Sequence, residues 1–253
     1  MPQFYLPGPW ESQKPTTLTP EVAHHLRVRR IQAGEHFPVF DGNGRVAKAE
    51  LLSLSSKTGQ TQLTDIRTDT HRETPYSITL AQGLAGGDKM DWIVEKSVET
   101  GVQGIAPIQC ERSILKLTRS SDQERAQKRL THWKGIIQAA CEQCDRTVFA
   151  ELEPIQTFES YLKSDPRPAL KLLLSPDAKK SMYSVLVENA PQDIVLMIGP
   201  EGGHSPEEEA LAEAAGYQIV SLGERVLRTE TAGIVAITAV HSVWNPEMQN
   251  RLK

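Results

Sequence analysis

The stretch 193-DIVLMIGPEGGHSPEEEALAEAAG-216 decides how this chain is read. Five apolar residues, Ile194 to Ile198, lead into a glycine-rich turn and then an acidic segment. An apolar run of that length bounded by turn residues reads as a strand. Ser205 predicts an N-cap, with Pro206 at the first helical position and Glu208 at the third. Ala210, Leu211, Ala214 and Ala215 form the apolar stripe, and Gly216 supplies the stop. The acidic run Glu207–Glu209 is accounted for by the helix dipole and by solvation.

Glu201 is different, because it precedes the helix, between Pro200 and Gly202. A phosphate cradle needs uncompensated N–H groups and usually a cation, and a carboxylate works against an anion. Neither GxxxxGK[ST] nor GxGxxG is present in this loop. The ligand implied is neutral or cationic and gripped by backbone groups. The plainer alternative is that the glycines only make a tight turn.

Outward from this unit, the same alternation recurs. Strand-like runs lie at "YSITLAQ", "GIAPIQ", "LKLLLSP" and "YQIVSLG". Helical patterns begin at 88-DKMDWIVEKSVETG, 122-DQERAQKRLTHWKGIIQAACEQC, 179-KKSMYSVLVEN and 229-TETAGIVAITAVHSVW. Strands alternating with helices predict an α/β domain with a mostly parallel sheet, spanning 73–253. Ligands of such sheets bind beyond the carboxyl ends of the strands. Three strand ends stand out: 172–176, 197–203 and 221–233. The last, "SLGERVLRTETAG", carries Arg225 and Arg228, with Thr229 or Thr231 as helix cap and Glu230 in the first turn. Arg228 is placed to orient a phosphate or stabilise an oxyanion. Alternatively, both arginines serve surface ion pairs.

Residues 1–72 follow another pattern, with short apolar runs separated by turn signals at Asp41-Gly42-Asn43-Gly44 and Thr58-Gly59. Thr19 and Pro20 predict the start of a short helix. The whole reads as a small barrel-like β module, joined to the rest by the polar "RTDTHRETP".

Net charge is −4, unevenly spread. Residues 1–72 hold 9 Lys and Arg against 7 Asp and Glu, and concentrate His24, His25, Arg27, Arg29 and Arg30 in "HHLRVRR". The acidic balance of the remainder argues against a general nucleic-acid coat, while leaving room for a local RNA-binding patch. The opening MPQFYLPGPWESQK has no basic start or long apolar run, and no window approaches a membrane span. A cytoplasmic protein is expected. Three cysteines, an odd count in a chain of this size, argue against a disulfide framework. Cys141 and Cys144 form a CxxC, but without a second ligand pair or a redox context they read as two thiols on a helix. No metal is expected.

"IGPEGGHSPEE" followed by "LGERVLRTETA" resembles the bacterial 16S rRNA uridine N3-methyltransferase family of the SPOUT, or trefoil-knot, superfamily. "KMDWIVEKSVETGV", "PIQCERS" and "AACEQCDR" fit as well, and "HHLRVRR" with "FDGNGR" fits the family's PUA-like module. The likeness covers about residues 4 to 245. Thr100 stands where leucine is usual and His204 where an apolar residue is commoner; both read as adjustments of packing.

The resemblance implies an N-terminal PUA-like β-barrel (1–72) and a C-terminal α/β domain knotted near its end. It implies S-adenosylmethionine as cofactor, a homodimer, and methylation of N3 of the uridine at position 1498 of 16S rRNA in the 30S subunit. Mapped onto this sequence, the cofactor residues are Leu174, Ser175 and Pro176; Ile198, Gly199, Pro200 and Gly202; and Ser221, Leu222, Gly223, Val226, Leu227, Arg228 and Ala232. A sulfonium cofactor agrees with the chemical reading of the Glu201 loop. That glutamate is expected to pin the loop or meet substrate rather than face the sulfonium, since a bare buried carboxylate is costly.

Uridine N3 carries a proton, so methylation needs a proton acceptor and a stabiliser for charge spreading to O2 and O4. Arg228 is the first candidate stabiliser and Arg225 the second. Glu201 and Glu142 are candidates to take or relay the proton. The base must be unpaired or flipped out. His25, Arg27, Arg29, Arg30 and Arg45 are the expected RNA contacts, with Lys116, Arg119, Arg125, Lys128 and Arg129 as weaker candidates on a helix face that reads mainly as solvated. The rivals are a same-fold enzyme acting on tRNA or a ribose hydroxyl, a non-catalytic ribosome-assembly factor, and a nucleotide-dependent α/β enzyme.

Overall fold

A computed structural model of the chain describes residues 3–55, 58–116, 120–164 and 169–244. Two compact units emerge, Met1–Glu73 with Gln138–Phe149, and Thr74–Ile137 with Ala150–Lys253.

In the first unit the elements are β1 (Phe4–Tyr5), β2 (Pro15–Thr17), α1 (Pro20–Val28), β3 (His36–Phe40), β4 (Arg45–Leu54) and β5 (Gly59–Thr68). They form a five-stranded sheet in the order β1-β3-β4-β5-β2. It is the curled, barrel-like sheet the sequence predicts, with β1 and β2 at its two edges. The Asp41–Gly44 turn joins β3 to β4, and the Asp41 carboxylate accepts the N–H groups of Asn43 (2.8 Å) and Arg45 (3.0 Å). Helix α1 starts as expected, with the Thr19 hydroxyl accepting the Val22 N–H and Pro20 in the first turn. Its apolar side, Val22, Ala23 and Leu26, packs with Phe37, Val39, Ala49 and Leu63 in one core.

Residues 138–149 belong to this unit, although the sequence boundary at 72 assigns them to the second domain. The reason is a set of long-range contacts that local patterns cannot announce. Gln3 Nε2 donates to the Arg146 carbonyl at 2.7 Å. The buried Arg146 guanidinium makes a two-pronged pair with Glu73, at 3.0 and 2.6 Å. Phe149 stacks among Tyr5 and Phe40.

The second unit contains β6 (Ile78–Gly83), α2 (Lys89–Glu99), β7 (Gly104–Gln109), the start of α3 (Gln123–Cys144), β8 (Glu151–Leu152), β9 (Gln156–Thr157) and α4 (Phe158–Ser164). It continues with β10 (Leu170–Leu174), α5 (Met182–Glu188), β11 (Ile194–Ile198), α6 (Pro206–Ala214), β12 (Gln218–Val220) and α7 (Thr229–Trp244). Every strand pairing is parallel, in the order β12-β10-β11-β6-β7-β8, with β9 also on β7. All residues of β6 and β11 are buried, as strands covered on both faces must be. Leu173, Val195 and Met197 share one core with Phe158 and Tyr161 of α4 and Ala212 of α6. On α7, Gly233 lies against Leu80 of β6. The capping box on α6 is complete: Ser205 Oγ accepts the Glu208 N–H, and the Glu208 carboxylate accepts the Ser205 N–H at 3.0 Å.

Strand β10 lies between β11 and β12, which both follow it in the chain. Loops leaving three adjacent parallel strands therefore converge at one carboxyl edge, where α/β sheets bind ligands.

Candidate functional site

Those loops enclose a pocket of about 480 Å³ in the second unit. Its walls are Leu174–Pro176 after β10, Ile198–Gly203 after β11, and Leu222, Gly223, Arg225–Glu230 and Ala232 after β12. Lys89 from α2 completes the lining. Of the cofactor residues expected from the sequence, Ser221 alone is not on this wall. Its N–H donates to the Lys180 carbonyl and its carbonyl accepts the Met182 N–H, both at 2.9 Å, so its backbone serves the α5 connection.

The pocket's shape depends on backbone touching backbone. A Cβ on Gly83 would lie 2.5 Å from the Pro200 nitrogen, and one on Gly199 2.9 Å from the Gly203 backbone. Real Cβ atoms do not approach so closely, so a side chain at either place must displace the loop. Beneath the loop, Gln82 Nε2 donates at 2.9 Å to Thr229 Oγ1, which in turn donates to the Gly199 carbonyl at 2.6 Å. This chain joins the ends of β6 and β11 to the start of α7. Thr229, which the sequence offered with Thr231 as a cap for this helix, holds the neighbouring loop with its hydroxyl instead. The Arg228 carbonyl receives the Thr231 and Ala232 N–H groups at 2.9 Å.

Glu201 is held from the pocket's rim. Its Oε1 accepts the Gly86 N–H and the Lys89 ammonium, each at 2.9 Å. Partial burial raises its pKa, but the Lys89 and Gly86 hydrogen bonds outweigh that, and the carboxyl sits below the ordinary glutamate range. A carboxylate so held binds a proton poorly and fixes the 199–203 loop to the 84–89 turn. Arg112 fastens the other side of this loop, donating to the carbonyls of Gly202 (3.0 Å) and His204 (3.1 Å). Glu208 goes beyond its cap: Oε1 also accepts the Glu111 N–H at 2.8 Å, and the residue is buried. The His204 ring is buried beside Phe158, and burial, assisted by Arg112, pushes its pKa down to about 4.

Gln82, Lys89 and Arg112 were not singled out from sequence. A glutamine inside the apolar "ITLAQG" was the one visible signal, since a polar residue in a fully covered strand needs a partner. Lys89 and Arg112 carry no such mark.

Arg225 and Arg228 both line the pocket and are exposed, and neither guanidinium has an ion-pair partner among the described residues. Glu230 is the second carboxylate of the lining, and its Oε2 is buried with no hydrogen-bond partner.

Glu142 belongs to the first unit and is not on the pocket's wall. Its Oε1 accepts the Tyr5 N–H at 3.1 Å and a bond from Gln138 at 3.3 Å. In the same unit His25, Arg27, Arg29 and Arg30 are gathered, exposed, at the C-terminal end of α1. Arg29 lies over the Phe4 ring at 5.7 Å, and Arg45 over Trp10 at 5.5 Å. Among the weaker candidates, Lys116 Nζ donates to the carbonyls of Cys110 and Glu111, while Arg125 and Lys128 pair along their own helix segment with Asp122 and Glu124. Arg119 lies outside the described residues. Cys141 and Cys144 are both unbridged on α3, and burial pushes the Cys141 thiol up to about 12. Among the described residues there is no cluster suited to a metal ion, and no helix is long and apolar enough to cross a membrane.

Comparison with known proteins agrees with this geometry. Residues 72–241 match the model of an RNA methyltransferase domain, and residues 18–63 that of an RNA methyltransferase PUA domain. The chain is 34% identical over 231 residues to ribosomal RNA small subunit methyltransferase E of Synechocystis, covering 90% of this chain and 73% of that protein. It is 32% identical to the protein of that name from Bacillus subtilis, over 88% of each. The crystal structure of ribosomal RNA small subunit methyltransferase E from Neisseria gonorrhoeae, bound to S-adenosylmethionine, superposes with a TM-score of 0.87 at 37% identity. That match covers 96% of this chain and 98% of the other. A methyltransferase of Legionella pneumophila, solved with the same cofactor, also reaches 0.87, at 34% identity over 95% and 96% of the two chains.

Proposed function

The chain belongs to the ribosomal RNA small subunit methyltransferase E family, and from that premise we propose that it methylates N3 of the uridine at position 1498 of 16S rRNA, using S-adenosylmethionine. The observation that carries the reading is the pocket itself. Thirteen of the fourteen cofactor residues that the resemblance implied line one cavity, and that cavity has glycine backbone, apolar side chains and no phosphate-cradle lysine motif. The pocket fits such a cofactor: about 480 Å³ suits a nucleoside-sized molecule, and Leu174, Leu222 and Leu227 supply apolar walls.

When bound, the cofactor supplies a methyl group made electrophilic by its sulfonium. The chain's own residues do the rest. The backbone of 198–203 and 222–227 would hold the cofactor through hydrogen-bonding groups, and Leu222 and Leu227 would supply apolar surface to it. Glu201 keeps the first of these loops in place through Gly86 and Lys89. Arg228, and secondarily Arg225, offers cationic donors to uridine oxygens that gain charge as N3 loses its proton. Both are free of competing ion pairs among the described residues.

The first unit grips rRNA through Arg27, Arg29, Arg30 and His25, assisted by Arg45. Exposure of the first four at one helix end supports this, and the salt dependence of binding reports it. A homodimer is supported by the exposed apolar residues of the second unit, Tyr183 and Val187 one turn apart on α5 and Val226 beside the pocket. A ribosomal substrate implies work in the cytoplasm.

The test is methylation in vitro of 30S particles that lack the modification, with mass mapping of the product. One methyl on N3 of that uridine is expected. A methyl elsewhere, or none with cofactor present, overturns the reading.

A further inference from the structure

N3 methylation requires a group to take the N3 proton, and neither acid suggested by the sequence is well placed to do so. Glu201 already accepts hydrogen bonds from the Gly86 N–H and the Lys89 ammonium, which hold its carboxyl below the ordinary range. Glu142 belongs to the first unit and accepts the Tyr5 N–H. Among the described residues, no histidine lines the pocket, and Glu201 and Glu230 are its two carboxylates.

We infer that Glu230 is the proton acceptor of the reaction. Its Oε2 is buried and lacks any hydrogen-bond partner, which is rare for a carboxylate oxygen removed from water. Glu230 lines the pocket, and no protein donor has to be displaced before its carboxylate accepts a proton. A glutamate in a helix's first turn normally needs only solvent and the helix dipole. Here the carboxylate of a partly exposed residue keeps one oxygen without a partner, which the dipole does not require. Glu230 also lies two residues from Arg228, so acid–base and charge-stabilising groups come from one short segment at the start of α7.

This inference rests on the uridine reading above. In the step, the N3–H bond breaks and its proton passes to the Glu230 carboxylate. The freed electron pair on N3 forms the bond to the methyl carbon. The carbon–sulfur bond breaks, with its pair remaining on sulfur as a neutral thioether. The proton then leaves Glu230 for solvent, and no other reactant is needed.

The experiment compares wild type, Glu230→Gln and Glu230→Asp. Calorimetry measures S-adenosylmethionine affinity, thermal melting measures folding, and single-turnover methylation of unmodified 30S particles is followed from pH 5.5 to 9. Expected for Glu230→Gln are an unchanged melting temperature, a cofactor affinity within twofold of wild type, and a rate at least 100-fold lower. Glu230→Asp recovers part of that loss, and raising the pH partly rescues Glu230→Gln, as solvent hydroxide replaces the missing acceptor. Three results overturn the inference: Glu230→Gln turning over at the wild-type rate, a tenfold loss of cofactor affinity accounting for the defect, or a rate loss with no recovery by aspartate or pH. The wild-type arm separates the two readings, since a wild-type enzyme that leaves uridine N3 unmethylated overturns the function itself, whatever Glu230 does.

Discussion

The two edges of the parallel sheet in the second unit are built differently. At the amino edge, hydrogen bonds close on one another. The Ser77 N–H donates to Asp193 Oδ1 at 2.7 Å, the Ile78 N–H to Gln103 Oε1 at 2.8 Å, and Gln103 Nε2 to Thr74 Oγ1 at 3.2 Å. At the carboxyl edge, Gln82 Oε1, His204 Nε2 and Glu230 Oε2 are buried without partners; the remaining orphan among the described residues, Ser97 Oγ, is in the last turns of α2. Backbones there press together at Gly83 and Gly199, where side chains have no room. One edge is closed for stability. The other keeps polar groups unspent and depends on its loops for shape, and one of those residues, Glu230, lines the pocket.

The largest effect separating the edges is expected from Arg228→Ala. Arg228 is exposed and has no ion-pair partner among the described residues, so its loss removes no contact that holds the fold. Methylation is expected to fall by about 100- to 1,000-fold, the scale for losing one charge-stabilising donor. The melting temperature stays unchanged. Full activity in this variant removes Arg228 from the chemistry and weakens the functional contrast between the edges.

A second effect belongs to the unsatisfied edge alone. Burial, then the Arg112 charge, lowers the His204 pKa from 6.5 to about 4. Between those values the unfolded chain binds a proton that the folded chain does not, so stability falls as pH falls through that window. The slope approaches about 1.4 kcal/mol per pH unit, and the total is on the order of 3 kcal/mol. Above pH 6.5 the contribution is constant. His204→Phe keeps an aromatic ring against Phe158 and leaves the His204 backbone carbonyl for Arg112. Denaturation from pH 7 to 4 is expected to show a shallower loss for the variant. Parallel curves for the two proteins would remove His204 as the cause.

How much of this contrast was legible beforehand differs from residue to residue. The strand at 194–198, the cap at Ser205 and the convergence of three loops follow from local periodicity and the geometry of parallel sheets. Thirteen of the fourteen positions that the family resemblance implied for the cofactor lie on the pocket wall. The roles of Glu201 and Thr229 depend on Lys89, Gly86 and Gly199, which are distant in sequence, so the chain offers no pattern for them. Residues 138–149 group with the first unit for the same reason: their contacts are with Gln3, Glu73 and Phe40, which their own helical spacing does not announce. The knot implied by the family resemblance is likewise a property of chain path, which periodicity does not encode.

The closed edge predicts the reverse of Arg228→Ala. Gln103→Ala removes the acceptor of the Ile78 N–H and the donor to Thr74 together. Leaving a partly buried amide unpaired costs about 2 kcal/mol. Chemical denaturation is expected to show that loss, with cofactor affinity by calorimetry unchanged. A variant that binds cofactor tenfold more weakly would mean that the amino edge shapes the pocket after all.

The smallest effect tests whether position at an edge or hydrogen-bond completeness decides a residue's job. Ser205 follows the pocket loop by only two residues, yet its bonds are complete: the hydroxyl accepts the Glu208 N–H and its own N–H is received by Glu208. It is not on the pocket wall. Ser205→Ala is therefore expected to behave like an amino-edge variant, losing about 1 kcal/mol of stability as a broken helix cap does. Cofactor affinity and methylation rate stay at wild-type values. In that case the stretch 198–210 divides between Gly203 and Ser205, with ligand-facing loop before and helix start after. A tenfold loss of cofactor affinity would instead make the cap part of the pocket, transmitted through Glu208 to Glu111 and along the segment to Arg112, which holds the Gly202 and His204 carbonyls.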